Sequence, residues 1–386
     1  MKGLRFVVRH PAARRLTATI GLCCTLPLAC VSILPALLLG PLIRLRPTVR
    51  ARPARFAAFA TTYIGIELTG LIRLAAYWIG PGRLGRISAD STAYQDKHYA
   101  LLRRLLDRLF HAARRSFTLH ITPPADGASV PGGPLIIASR HAGPGDSFLL
   151  AYALLATLRR RPRFVLSQAL TVDPLIGTLL RRTPNCFIAL DPEQRHHSTA
   201  EITRLAEDLG PSDALVIFPE GRNFTTARRA RLLRRLRQRR AKLLPTARSL
   251  EHVLPAHSSG LFAAVDAAPA DTHLVFLAHT GLDRIETARD AWRSVPLTTP
   301  LQITWWSIPS REIPAETAER ERWLRRQWSQ VDGWIDEHRP AAVPAPRPAP
   351  EPGFEPGFAS RGEPGFEPGF ESEPEVEAGG PGPLTP

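Results

Sequence analysis

Apolar residues at the amino-terminal end of the chain lie in long stretches with few interruptions. Leu16 to Ile43 is an uncharged, mostly apolar run of 28 residues, longer than the roughly 20 residues that a helix needs to cross a bilayer. A second apolar stretch, Phe56 to Gly80, contains Glu67 and Arg73, so it is the weaker candidate for a span. Residues 1–80 are therefore predicted to form an apolar, membrane-anchoring helical segment.

The flanking residues do not determine the orientation of the first apolar run across a membrane, because arginines both precede it and follow it. The positive-inside rule then gives no direction, and a hairpin with both ends in the cytoplasm is one hypothesis. A cleaved lipoprotein-type signal ending at Cys30 is the alternative. Pro27 and the apolar residues beyond Cys30 disfavour it.

Between residues 84 and 340, short apolar runs alternate with amphipathic stretches. The runs predict buried strands at Leu135–Ala138, Arg163–Leu166, Cys186–Leu190, Ala214–Phe218 and Leu274–Ala278. Helical spacing of apolar residues covers Tyr94–Arg115, Leu149–Leu158 and Thr199–Leu209. This alternation predicts an α/β domain over residues 81–340, with a central, mostly parallel or mixed sheet flanked by helices.

The last segment, residues 341–386, has a different composition. Glu-Pro-Gly-Phe occurs four times in it, and eight Glu against two Arg give a balance of −6. Proline and glycine at this density oppose helix and sheet, so we predict a disordered acidic tail. Because the whole chain carries +15, residues 1–340 carry +21. Such a charge favours an anionic partner, either a phospholipid surface or a nucleic acid.

Candidate chemistry begins directly after the strand predicted at Leu135–Ala138. His141 is followed five residues later by Asp146, across a Gly-Pro-Gly turn. A carboxylate against one ring nitrogen fixes the imidazole, and the other nitrogen is then available to take a proton from a hydroxyl. Taken alone, the pattern is better explained as a surface turn with a cap at Asp146.

A second group of polar residues follows the strand predicted at Ala214–Phe218. The sequence there is Phe-Pro-Glu-Gly-Arg, which places Glu220, Gly221 and Arg222 just beyond a buried strand. Charge and backbone amides at such a position are available to a cleft. An ordinary exit from strand to loop has the same composition, so this motif alone is also weak.

Together, His-x-x-x-x-Asp and Phe-Pro-Glu-Gly about eighty residues later resemble the glycerolipid acyltransferase family, which includes the 1-acylglycerol-3-phosphate acyltransferases. The later stretches around Val253-Leu254 and Trp323 look like the lysocardiolipin and lysophosphatidylinositol branch. The resemblance implies that His141 is the general base, oriented by Asp146, for transfer of a fatty acyl group to a lysophospholipid hydroxyl. The acyl donor would be acyl-coenzyme A or acyl carrier protein, and neither a metal nor another cofactor is implied.

The resemblance also assigns acceptor binding, with departures from the family pattern. Glu220 and Gly221 match the acceptor-binding block, but Arg222 comes one place earlier than the family arginine. The arginine that ends the intermediate motif is replaced by Leu190, and the nearest one downstream is Arg195. His257 stands where the branch has an arginine. We therefore expect Glu220, Gly221, Arg222, Arg195 and His257 to contribute to acceptor binding.

A cationic segment follows the second motif. Residues 228–242 contain nine basic residues in fifteen, with three leucines spaced as a partial helical face. An interfacial helix on anionic lipid is one interpretation; a solvated arginine-rich helix is the other. Membrane phospholipids are thus the expected partners.

The expected location is the cytoplasmic membrane with the catalytic domain facing the cytoplasm, where the absence of a disulfide framework is ordinary. Two other functions remain open. One is acyl transfer to a glycolipid or another hydroxyl, which the missing phosphate-binding arginines favour. The other is a basic nucleic-acid-binding protein without catalysis. That reading leaves both motifs unexplained, so no nucleic acid is expected.

Overall fold

The computed structural model describes residues 52–79, 91–122, 124, 130–143, 145–188, 195–283, 285 and 287–340. The first apolar run, Leu16–Ile43, and the predicted tail, residues 341–386, lie outside the described residues. So does the junction at residue 80, where the anchoring segment is predicted to end.

Seven strands of the described residues form one sheet. They are β1 (Ile121–Thr122), β2 (Leu135–Ser139), β3 (Arg161–Ser167), β4 (Cys186–Ile188), β5 (Asp213–Ile217), β6 (His273–Thr280) and β7 (Leu301–Pro309). Their order is β1-β7-β6-β2-β5-β3-β4. Strands β6, β2, β5, β3 and β4 are parallel; β7 is antiparallel to β6, and β1 is parallel to β7. The prediction of an α/β fold with a mixed central sheet is confirmed.

Helices cover the sheet and connect its strands. In the described part of the chain they are α1 (Arg52–Ile79), α2 (Thr92–Phe117), α3 (Asp146–Tyr152), α4 (Pro174–Leu180), α5 (Arg195–Glu207), α6 (Thr226–Gln238), α7 (Leu244–Ser249), α8 (Ser258–Ala267), α9 (Ala288–Ser294) and α10 (Thr317–His338). A π-helical turn, Ala153–Thr157, follows α3 directly.

The five predicted strands and three predicted helices all exist, with boundaries shifted by a few residues. Strands β1 and β7 were missed by the sequence analysis. Strand β7 was missed because most of its side chains are only partly buried, so its apolar residues neither alternate cleanly nor form a continuous run.

The central strands are buried on both faces, which explains their continuous apolar runs. Alternate residues of β2 belong to different cores because successive side chains of a strand point in opposite directions. Ile136 and Ala138 pack with α5, α8 and α10. Leu135 and Ile137 pack with α2 and α3.

Helix α1, formed by the second apolar stretch, packs on α2 and α4. Leu74 is 2% exposed and lies in one cluster with Leu105 and Leu175. Gly70 permits this approach, because a Cβ atom there would come within 2.5 Å of a Leu175 methyl group. Among the described residues, no helix is both long and apolar enough to cross a membrane.

Helix α10 fixes the loop that precedes α8. Asp332, 7% exposed, accepts hydrogen bonds at Oδ1 from the backbone amides of Glu251, His252 and Val253 at 3.1, 2.7 and 3.1 Å. Trp328 donates its indole NH to the carbonyl oxygen of Leu254 at 2.9 Å. The segment 251–254 is therefore attached to the carboxyl-terminal helix along its whole length.

We expect Asp332→Ala to lower the free energy of unfolding by about 2–4 kcal/mol, because three amides lose a shared charged acceptor. Asp336→Ala is the matched control on the same helix. The Asp336 side chain is exposed and lies 3.1 Å from His252 Nε2 and 3.2 Å from Arg339 Nε. Exposed ion pairs contribute little, so its loss should cost less than about 1 kcal/mol. Thermal unfolding followed by tryptophan fluorescence measures both. Equal losses in the two variants would contradict the assignment.

Candidate active site

The candidate site lies where the three adjacent central strands end. His141 follows β2 by two residues, Glu220 follows β5 by three, and His279 is next to last in β6. Parallel strands direct their carboxyl ends to one edge of the sheet, which is the usual ligand edge of α/β folds. Residues separated by up to 138 positions in sequence are thus brought together.

The His141–Asp146 pair is formed within one tight turn. Asp146 is the first residue of α3 and is 4% exposed. Its Oδ2 accepts the amide NH of Gly143 at 2.7 Å and lies 3.2 Å from His141 Nδ1. The Gly143 contact closes the turn, so the five-residue spacing is sufficient to place the carboxylate against the imidazole.

A second histidine approaches the other oxygen of the same carboxylate. His279 Nε2 lies 3.7 Å from Asp146 Oδ1 and 3.3 Å from the carbonyl oxygen of Arg140. Burial lowers the pKa of His279, which favours the neutral ring. Burial acts to raise the pKa of Asp146, but His279, His141 and the Gly143 amide together hold it below its ordinary value.

The sequence analysis missed His279. It lies one residue beyond the predicted strand Leu274–Ala278, and no spacing connects it with the other two residues. Only the adjacency of β6 and β2 in the sheet brings it to Asp146.

The side chain of Glu220 holds the backbone of His141 in place through hydrogen bonds. Its carboxylate accepts the amide NH of His141 at Oε1 and that of Leu254 at Oε2, both at 2.8 Å. The side chain is 3% exposed. Burial raises the pKa of Glu220 to about 8, although both amides and the Arg140 guanidinium act to lower it. Glu220 was predicted to contribute to acceptor binding, but both of its carboxylate oxygens accept hydrogen bonds from the protein backbone.

The buried side chain of Arg140 connects the segments beneath the site. It is 1% exposed and donates to the carbonyl oxygens of His279 at 2.6 Å and His252 at 3.2 Å. It also forms an ion pair with Asp283. A guanidinium presents several donors in a fixed plane, so one side chain ties the ends of β2 and β6 to the segment 251–254.

The loop after β5 lies directly against His141. The amide of Phe224 donates to the carbonyl oxygen of His141 at 2.6 Å, and the rings of Phe218 and His141 are 4.5 Å apart at their centroids. Gly221 has φ +67°, a left-handed conformation that favours glycine. The imidazole is thus packed on one side while remaining 22% exposed.

The other predicted acceptor-binding residues have different placements. The ring of His257 lies 3.5 Å from where a Cβ atom would stand on Gly221, and its amide donates to Pro219. Arg222 is exposed on the same loop. Arg195 begins α5, but its side chain is outside the described residues.

An apolar cavity of about 60 Å³ lies beside Asp146 and His279. Its lining includes Leu149, Leu154, Leu277 and, from β7, Trp305. Hydrocarbon suits such a lining, because no hydrogen-bonding group is displaced when it enters.

The geometry is suited to general-base catalysis. Nδ1 of His141 is held by a carboxylate, and no hydrogen-bond partner for Nε2 is found among the residues that the structure describes. A hydroxyl next to Nε2 then loses its proton to a ring whose positive charge Asp146 stabilises. Within the same residues, no cluster of three or more His, Cys, Asp or Glu side chains is arranged to hold a metal ion.

Comparison with known proteins agrees with the reaction class. Residues 122–278 match the family model described as Acyltransferase, a segment that includes His141, Asp146 and Glu220. A sequence search of curated proteins gave no match. The fold is similar to the crystal structure of the 1-acyl-sn-glycerophosphate (LPA) acyltransferase, PlsC, from Thermotoga maritima. The identity is 10% and the TM-score 0.41, over 71% of this chain and 97% of that one. On the family match, the protein is an acyltransferase whose acyltransferase domain contains the His141–Asp146 turn.

Proposed function

We propose that this acyltransferase moves a fatty acyl group from the thioester of acyl-coenzyme A or acyl carrier protein to the hydroxyl of a lysophospholipid. 1-Acylglycerol-3-phosphate is the model acceptor, and the role is phospholipid biosynthesis or remodelling. The 3.2 Å contact between His141 Nδ1 and Asp146 Oδ2 carries the proposal. It supplies a positioned base inside a segment that matches an acyltransferase model.

The step begins when His141 Nε2 takes the proton of the acceptor hydroxyl. The oxygen attacks the thioester carbonyl carbon, a C–O bond forms, and the C–S bond breaks as the tetrahedral intermediate collapses. The departing thiolate receives the proton from the imidazolium. Asp146 keeps the Nδ1 proton in place and stabilises the charged ring. Since the acceptor itself is the nucleophile, no side chain has to be acylated.

We assign Glu220 as a positioning residue, because its carboxylate faces the amides of His141 and Leu254. The acceptor phosphate would instead meet Arg222 and His257, which are both exposed; the His257 ring lies against Gly221, next to Arg222 in the chain. The cavity beside Asp146 suits the end of the acyl chain. Arg195 remains a candidate on sequence grounds.

A glycolipid or another uncharged hydroxyl is the second candidate acceptor. The observation that favours it concerns His257, which lies next to Gly221. In the family branch that the sequence resembles, this position is an arginine. An imidazole offers fewer hydrogen-bond donors to a phosphate than the planar guanidinium of an arginine does. The two candidates share the same base and thioester chemistry, so one assay separates them.

We expect His141→Ala to lower the rate of thiol release from a long-chain acyl-coenzyme A by about 10²–10⁴-fold, the usual contribution of a general base. Asp146→Asn should lower it less, because the ring keeps a weaker hydrogen bond. Thiol is measured colorimetrically with several lysophospholipids supplied in turn. His111→Ala, an exposed histidine of α2, is the control and should retain full activity.

The preferred lipid in that assay names the acceptor. Release that persists in His141→Ala would overturn the assigned base. His141-dependent release with glycolipids and with no lysophospholipid would establish the second candidate instead.

We expect His279 to contribute a loss of free energy of unfolding as the pH is lowered from 7.5 toward about 5.5. Glu220 contributes in the opposite direction, because its raised pKa favours the folded state as the pH falls. The pKa of His279 in the folded state is below the ordinary value of 6.5. The unfolded chain therefore binds the proton more readily, and stability is lost as the pH falls through that value. Denaturant titrations of the wild type and of His279→Gln isolate this contribution, because the wild type should lose stability relative to the variant as the pH falls. Glu220 and the buried His98 are common to both proteins, and a stability difference that does not change with pH would exclude His279.

A further inference from the structure

The most strongly charged surface of the described residues is α6 with its extension to Leu243. Residues 226–243 contain nine basic residues and no acidic one. The cations are Arg228, Arg229, Arg231, Arg234, Arg235, Arg237, Arg239, Arg240 and Lys242. Like charges three and four positions apart on a helix repel each other, so this segment is stabilised when an anionic surface lies against it.

Two of the nine cations are engaged with segments outside the helix, and a third, Arg231, donates from Nε to the Ala227 carbonyl oxygen within the helix at 3.3 Å. Arg228 donates to the side chain and backbone carbonyl of Asn223. Arg229 donates to the carbonyl oxygens of Leu250 at 2.7 Å and Arg248 at 3.2 Å. These contacts attach one side of α6 to the rest of the domain, and the other side of the helix faces outward.

The remaining seven cations are exposed. None of them forms an ion pair with another of the described residues. Their charge is therefore not neutralised locally, and it is available to an external partner.

Leucines accompany these cations. Leu243 is 41% exposed, and Leu232, Leu233 and Leu236 are partly exposed, since no residue of α6 is fully buried. A helix that presents cations together with aliphatic side chains fits the boundary between headgroups and acyl chains. Nucleic acid offers phosphates but no apolar layer, so the leucines favour lipid.

Helix α6 also lies close to the base in the chain. Its cap residue Thr225 directly follows Phe224, whose amide donates to the His141 carbonyl. An external surface bound to α6 would therefore lie near the loop that packs on His141.

We propose that α6 and its extension to Leu243 dock on an anionic phospholipid bilayer. The seven exposed cations contact headgroup phosphates, and the leucines enter the boundary with the acyl chains. This docking surface is additional to the acceptor site and stands on charge and exposure, so it does not depend on which lipid is acylated.

The test is flotation of the full chain with vesicles of phosphatidylcholine alone or with phosphatidylglycerol added. The readout is the increase in binding caused by the anionic lipid, because residues 1–51 are present in every sample. The variant replaces Arg231, Arg234, Arg235, Arg237 and Arg239 with Gln, which keeps helix propensity and removes five charges.

The matched control removes the same number of charges from exposed arginines of α2: Arg103, Arg104, Arg108, Arg114 and Arg115. We expect the α6 variant to lose at least tenfold in partition onto anionic vesicles, since each basic residue near such a surface contributes substantially. The α2 variant should lose less than threefold. Equal losses, or no loss in the α6 variant, would overturn the proposal.

Two further measurements keep the result specific. Thiol release with monomeric short-chain substrates in detergent should be unchanged in the α6 variant, which separates a failure of docking from a failure of the proposed chemistry. A duplex oligonucleotide supplied at 0.15 M salt tests the other polyanion. Tighter binding to the duplex than to anionic vesicles, lost in the α6 variant, would assign the surface to nucleic acid and reject lipid.

Discussion

A buried carboxylate holds together the three chain segments from which this site is built. Glu220 comes from the end of β5, yet its two oxygens accept amides from His141, after β2, and from Leu254, before α8. Burying a carboxylate is costly unless donors surround it. The same requirement makes the arrangement definite, because either amide would be left without a partner if its segment moved. The backbone position of His141 thus depends on a residue 79 positions away.

The support continues from that carboxylate to the carboxyl-terminal helix. Asp332 and Trp328 of α10 fix the segment 251–254, and Arg140 joins that segment to β6 through the carbonyl oxygen of His279. A tryptophan-rich helix at the end of the domain therefore belongs to the support of an imidazole nearly 190 residues earlier. Precise placement of a reacting group generally requires such a rigid surrounding.

The environment of Asp146 shows how burial and contact divide the tasks of two histidines. Asp146 lies between His141, which is partly exposed, and His279, which is buried. Charging His279 would require solvation that the interior does not supply, so burial lowers the pKa of His279 and favours the neutral ring. The side chain of His141, in contrast, keeps 22% of its surface exposed. One carboxylate thus contacts a partly exposed ring at one oxygen and a buried ring at the other.

The sequence by itself determined those features that depend on residues close to one another in the chain. Continuous apolar runs specified the central strands because both faces of the sheet are buried, and five residues with two glycines sufficed to bring Asp146 to His141. The partly buried strand β7 and the contacts of His279 and Glu220 left no such local signal. Tertiary structure alone decided them, since strand order determines which distant residues meet at the edge of the sheet. It also decided which arginines of α6 are engaged, because exposure depends on what the folded body covers.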